Sequence, residues 1–150
     1  TGKQLYKGGV HLDAFQQCID STIHKLYYNG DITSVAKFHE MQQRFPSIIH
    51  WMIGRGLISD PFLPSMIKNN TSEYPANKIE LFSAFHDTLY AIYSESLSGS
   101  THILLKMYHL WEYFSVTFSN PHKVLKKIKK AQSIRNYEAA VAEIFKNEKF

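Results

Sequence analysis

Two stretches decide how this sequence is read: Tyr27-Tyr28-Asn29-Gly30-Asp31-Ile32, and Trp51-Met52-Ile53-Gly54-Arg55-Gly56-Leu57, which runs on into Ser59-Asp60-Pro61-Phe62. Each is a short apolar run ending in a glycine turn, and each turn opens onto a helix-start signal. A strand followed by such a turn delivers an anion to the backbone N–H groups and positive dipole end of a helix. Two of these units in succession predict neighbouring phosphate-binding loops on the C-terminal rim of a parallel sheet or barrel.

Working outward, the first part of the chain alternates strand and helix. Leu12, Phe15, Cys18 and Ile19 have three-to-four spacing and predict a helix, with Cys18 as a structural core residue. The run Ile23 to Tyr28 reads as a buried strand. Thr33 or Ser34 caps a helix whose apolar face is Val35, Phe38, Met41 and Phe45, stopped by Pro46. Ile48 to Ile53 reads as a second strand, and Asp60-Pro61 as the start of a further helix with proline at its first position. Strand, crossover helix and strand imply parallel pairing.

From about Pro75 the pattern is helical. Asn77 with Glu80 makes a capping box, and Phe82, Phe85, Leu89, Ile92 and Tyr93 form the stripe that follows. Ser98-Gly99-Ser100 breaks it. Ile103, Met107, Leu110, Trp111, Phe114 and Phe118 mark a second helix, and Asn120-Pro121 starts a third with Val124, Leu125 and Ile128. Tyr137, Val141, Ile144 and Phe145 mark a fourth. Short connections between four amphipathic helices predict an antiparallel bundle. Phe82, Phe85, Trp111, Phe114 and Phe118, at helical spacing, are assigned to the core and given no functional role.

Composition bounds the class. The chain has 150 residues, 44% of them hydrophobic, enough for one domain with a real core or for two small lobes. Cys18 is the only cysteine, which excludes an internal disulfide and a cysteine zinc site and is consistent with a reducing, cytoplasmic setting. No apolar run approaches the roughly 20 residues of a membrane span, and Thr1-Gly2-Lys3-Gln4 has no hydrophobic signal core. The eight histidines show no paired ligand spacing with acids, so no metal site is expected. A start at Thr suggests a fragment or a processed chain.

Charge is uneven. Residues 98–150 carry nine Lys or Arg against four acids. That basic end is either an electrostatic footprint for a polyanion or a solvated helix face. Its densest cluster is Lys123, Lys126, Lys127, Lys129 and Lys130, of which Lys123, Lys126, Lys127 and Lys130 share a helix face. Two parallel strands cannot make a stable open sheet or close a barrel. The front part therefore reads as the tail of a larger βα structure.

Asn29-Gly30-Asp31-Ile32 and Met52-Ile53-Gly54-Arg55-Gly56-Leu57, with Asp60-Pro61-Phe62, resemble the last two βα units of the tRNA-dihydrouridine synthases. Thr1 to Gly8, with Gln4, Tyr6 and Gly8, is similar to the stretch after that family's His-x-Arg motif. The resemblance implies a mixed α/β then all-α chain, mostly helical overall. Residues 1–70 would be the last βα units of a (β/α)8 TIM barrel, and 71–150 a C-terminal four-helix bundle that binds tRNA. It implies a flavin oxidoreductase in which NADPH reduces FMN and hydride passes to C6 of a uridine in tRNA. A cysteine from an earlier barrel loop protonates C5; Cys18 does not match it, so this piece alone is expected to be inactive.

By the same resemblance Asn29, Gly30 and Asp31 are the flavin-phosphate loop after the seventh strand, with Asp31 contributing its backbone N–H. Gly54 and Arg55 are the loop after the eighth, where a guanidinium can fork onto a phosphate. Lys106 and His109, sharing a face with Tyr113, are similar to a basic and aromatic segment that the family presents to tRNA. Lys123, Lys126, Lys127 and Lys130 would add salt-dependent phosphate contacts. Two other readings stand beside this one: a fragment of another FMN-dependent TIM-barrel oxidoreductase, and a non-enzymatic helical module binding RNA or protein. Unpaired strand edges are expected to promote self-association.

Overall fold

The computed structural model describes residues 8–149. The likeness at Gln4 and Tyr6 lies outside the described residues. In chain order the elements are α1 (Leu12–Ser21), β1 (Tyr28–Asn29), α2 (Val35–Arg44), β2 (Trp51–Met52), α3 (Arg55–Ser59) and α4 (Leu63–Lys68). Then follow α5 (Lys78–Ser96), α6 (Ser100–Phe114), a 3-10 turn (Ser115–Thr117), α7 (Pro121–Lys130) and α8 (Ile134–Asn147). The described residues are thus mostly helical, with one parallel strand pair. No described helix is long and apolar enough to cross a membrane.

Helix starts follow local chemistry. Ser34 caps α2 by accepting from the Lys37 N–H, Asn120 caps α7 through Lys123 N–H, and Ser133 caps α8 through Asn136 N–H. The capping box at α5 does not form: Asn77 stands at the N-cap with no side-chain bond. The Asp60-Pro61 start also shifts. Helix α3 already begins at Arg55, and Pro61 sits in a turn in which Asp60 Oδ1 accepts from the Phe62 N–H at 3.0 Å. Pro64, not Pro61, enters the first turn of a helix, α4.

The strands are much shorter than the apolar runs predict. Only Tyr28–Asn29 and Trp51–Met52 pair, in the register Tyr28 to Trp51 and Asn29 to Met52. Ile23 is fully exposed and Ile49 is 76% exposed, so neither run is a buried strand throughout. A ladder between two strands alone satisfies one edge of each, and no other strand among the described residues pairs with the free edges. Cys18 is also exposed. On α1 the inward residues are Leu12, Phe15 and Ile19, which pack against the Tyr28 cluster. Cys18 lies at the margin of that stripe, 100° per residue taking it off the centre line.

Three buried clusters form. Tyr28, Ile32, Met41, Phe45 and Ile48 make one beneath the strand pair, and Val35, Leu63 and Met66 make a small second one beside it. The third and largest gathers Phe82 of α5, Met107, Trp111 and Phe114 of α6, Val124 and Ile128 of α7, and Tyr137 and Ile144 of α8. Burying each large apolar side chain contributes about 1.5–3 kcal/mol. Within the α5 stripe, however, only Phe82 is fully buried; Phe85 and Ile92 remain exposed, and His86 takes the inward place one turn beyond Phe82. Ile58 of α3 and Phe62 pack on the helical cluster, and the Thr117 hydroxyl donates to the Ser59 carbonyl. These contacts fix α3, which carries Arg55 at its start, against α6 and the 3-10 turn.

Candidate functional site

The parallel register decides where the two glycine turns go. Because Tyr28 pairs with Trp51 and the Tyr28 N–H donates to the His50 carbonyl at 3.0 Å, both strands end at the same edge. Both turns leave from that edge, and their side chains meet there: the Arg55 guanidinium donates to Asp31 Oδ1. Both partners are partly exposed, so this pair joins two loops more than it stabilises the fold. Asn29 is exposed on β1.

The three glycines of the turns differ in what they face. A Cβ on Gly56 would run into the Ile32 carbonyl oxygen, so this glycine lets the start of α3 lie against the first turn's backbone. A Cβ on Gly30 would strike the ring and hydroxyl of Tyr28, which folds back over it and donates to the Met41 sulfur at 3.2 Å. Burial foremost, then the nearby Asp31 and Glu40 carboxylates, hold the Tyr28 phenol above its ordinary pKa, so it remains a donor. Gly54 is different. A Cβ there would meet nothing within 4 Å. Gly30 and Gly56 are therefore accounted for by the chain's own packing, whereas the space in front of Gly54 is open to a group from outside.

That arrangement fits a phosphate at one point and resists it at another. Open backbone at Gly54 beside a permanently charged guanidinium suits an anion. The Asp31 carboxylate, expected to stay out of the site, instead engages that guanidinium. A phosphate at Arg55 has to share it with Asp31 or displace the carboxylate.

The basic residues separate by partner. Lys123 is held by Glu148 at 2.7 Å and Lys127 by Glu143 at 2.5 Å, both acids on or just after α8. Lys129 reaches back to Glu112 of α6 at 2.9 Å, and that hydrogen bond foremost lowers the Glu112 pKa. His109 lies 3.7 Å from the same carboxylate. The Lys106 ammonium sits 5.0 Å from the centroid of the Tyr93 ring. Lys126 and Lys130 are exposed, one turn apart on α7, and make no ion pair among the described residues. Sequence spacing groups four lysines on one face; tertiary contacts neutralise two of them.

One polar centre escaped the sequence reading. His86 is buried on α5, its Nδ1 2.9 Å from Asp87 Oδ1 and its Nε2 2.6 Å from the Tyr137 hydroxyl. Trp111 Nε1–H donates to the same hydroxyl at 2.9 Å. Burial lowers the His86 pKa, outweighing the opposing pull of Asp87, so the ring is neutral. A neutral ring with its proton on Nδ1 lets every group in the chain pair: Nδ1–H donates to Asp87, and Nε2 accepts from Tyr137 O–H. Burial likewise pushes the Tyr137 phenol up, which keeps that proton in place. The signal was present in the spacing, since His86 follows Phe82 by four and precedes Tyr90 by four on the inward side of α5.

Among the described residues no group of three or more His, Cys, Asp or Glu side chains is placed to hold a metal ion. No protein-family model matches the chain, and no curated protein matches it either.

Proposed function

We propose that this chain is the C-terminal part of a flavin-dependent tRNA-dihydrouridine synthase. In this reading residues 1–70 complete a TIM barrel and 71–150 form a four-helix tRNA-binding domain. The observation that carries it is the meeting of two successive post-strand turns at one end of a parallel pair, with Arg55 beside the open backbone of Gly54. Gly54 and Arg55 would hold the FMN phosphate, with Asn29, Gly30 and Asp31 forming the neighbouring loop. Asp31 then has a positioning role, aiming the guanidinium when no phosphate is bound. When bound, FMN supplies hydride transfer to the uracil ring, with NADPH as its reductant. The cysteine that completes the reduction belongs to an earlier barrel loop in this family, and Cys18 on α1 takes no part.

The apolar residues left bare around the strand pair, Ile23, Tyr27, Ile49 and Met52, favour the same reading, because further strands of a barrel would cover them. Without those strands, the open edges of β1 and β2 are the surfaces through which the 150-residue chain would self-associate. On the helical side, Lys126 and Lys130 are the phosphate-binding lysines, with Lys106 and His109 on the adjoining α6. Lys123 and Lys127, held by α8 carboxylates, contribute less. A cytoplasmic location goes with a tRNA substrate.

The test uses the full-length enzyme. Arg55→Ala is expected to purify with at least tenfold weaker FMN retention by flavin absorbance while tRNA binding persists; undiminished flavin would defeat the phosphate assignment. Lys126→Glu with Lys130→Glu is expected to retain flavin. It should weaken binding of unmodified tRNA and flatten the dependence of log affinity on log salt by about 1.4–1.8, from two lost phosphate contacts. Unchanged tRNA affinity would leave α7 as a solvated face.

A further inference from the structure

A groove of about 340 Å³ lies between α5 and α8, away from both glycine turns. Its walls are aromatic: Tyr90 and Tyr137, 5.5 Å apart and inclined at 44°, with Phe145 beyond them. Its polar groups include the carboxylates of Asp87 and Glu138. Elsewhere six of the other eleven acids are held by a lysine or arginine: Asp13, Asp31, Glu40, Glu112, Glu143 and Glu148. Neither carboxylate of the groove has such a partner among the described residues, in a chain with 17 Lys and Arg against 13 acids.

The two carboxylates are nonetheless fixed. Asp87 Oδ1 is bound by His86 Nδ1–H at 2.9 Å, and Glu138 Oε1 accepts from the Tyr90 hydroxyl at 3.0 Å. Each therefore keeps a second oxygen for another donor. We propose that this groove binds an organic cation, its charge between Asp87 and Glu138 and its stem against Tyr90 and Phe145, with the buried Tyr137 beneath. Aromatic faces carry negative quadrupole and attract a cation laid over them, and a guanidinium can stack there while forking onto a carboxylate. A neutral ligand would leave two carboxylates partly desolvated without compensation, and an anion would be repelled.

The groove is separate from the basic surface. On α8, Glu143, which holds Lys127 of α7, lies about 140–160° around the helix from Ala142's neighbours Glu138 and Phe145, at 100° per residue. One side of α8 thus faces the lysine helix and the other faces this acidic, aromatic groove, so the cation site does not share its occupant with a polyanion. The cation has two natural sources: an arginine side chain of another polypeptide, or a free polyamine.

The test is titration of the 15N-labelled 150-residue chain, followed by amide shifts. N-acetyl-arginine amide is expected to give saturable shifts at 83–90 and 137–145, with N-acetyl-citrulline amide, its uncharged isostere, at least tenfold weaker. Glu138→Gln, an exposed change, should weaken arginine binding at least fivefold. Ala142→Trp, which fills the groove, should abolish it with helix content retained by circular dichroism. Saturation by spermidine but not by the arginine amide supports the same site with the free amine as its source. Equal binding of the citrulline compound, undiminished binding to Glu138→Gln, shifts confined to other elements, or no saturation by either cation would each overturn the proposal.

Discussion

The part of the chain before α5 and the part from α5 onward each bury a cluster of apolar residues, around strands in one and between helices in the other. In the helical part Phe82, Met107, Trp111, Phe114, Val124, Ile128, Tyr137 and Ile144 share one fully buried cluster. Around the strand pair, Ile23, Tyr27, Ile49 and Met52 stay in solvent although their sequence context reads as strand interior. Helices satisfy their backbone internally and need only one apolar stripe covered, which three neighbouring helices can do. A strand needs partners along both edges and cover on two faces, and here each has one partner. Both regions keep a buried cluster and some bare apolar residues, but around the strand pair the bare ones are those whose sequence context reads as strand interior.

Substitutions can break that comparison. Phe82→Ala should cost about 3–5 kcal/mol and lower the denaturant midpoint sharply, because the ring packs edge-on to Phe114 and Phe145 at 5.3 and 5.8 Å. A loss below about 1 kcal/mol would mean that the helical core is not tightly packed. Tyr137→Phe removes one hydroxyl but leaves both Trp111 Nε1–H and His86 Nε2 without their partner. It should cost roughly 2 kcal/mol or more, since each orphaned buried group carries its own desolvation penalty.

Acidity probes the same centre more gently. His86 has a lowered pKa in the folded chain, so below about 6.5, its ordinary value, the unfolded chain takes up a proton that the folded chain resists. Stability should hold above that pH and fall as pH drops through it, seen as a decreasing melting temperature. His86→Gln should flatten that decline; an identical slope would place the titration elsewhere. The smallest effect belongs to the strand region. Ile49→Thr should change stability by no more than about 0.5 kcal/mol, as surface substitutions do. A larger loss would show that the strand runs are buried in solution, by self-association or otherwise, and light scattering on both variants would separate those cases.

Much of the helical half was legible because its determinants are local. Asn120 caps α7 as its position foretells, and the spacing of Met107, Trp111 and Phe114 marks the inward face of α6. The glycine turns were legible too, but not their division of labour. Nothing in the spelling of Gly-Arg-Gly says that Gly56 is pressed on the Ile32 carbonyl while Gly54 faces open space. Nor does it say that Asp31 will hold Arg55. The Asn77-Glu80 pair shows the limit of local patterns, since the box is spelled and does not close.

Taken alone, the sequence determined that Thr33 or Ser34 and then Asn120 cap helices, that Ser98-Gly99-Ser100 interrupts them, and that the chain's second half is helical and basic. Hydrogen bonds from residue i to i−4 and side-chain caps lie within a few residues, so their outcome is written locally. Tertiary structure alone decided four things. It trimmed the strands to two residues each, left Cys18 in solvent, and chose which lysines are spent on α8 carboxylates. It also brought His86, Trp111 and Tyr137 together across three helices. Each of those depends on a partner distant in the chain, and periodicity within one segment carries no information about the segment it will meet.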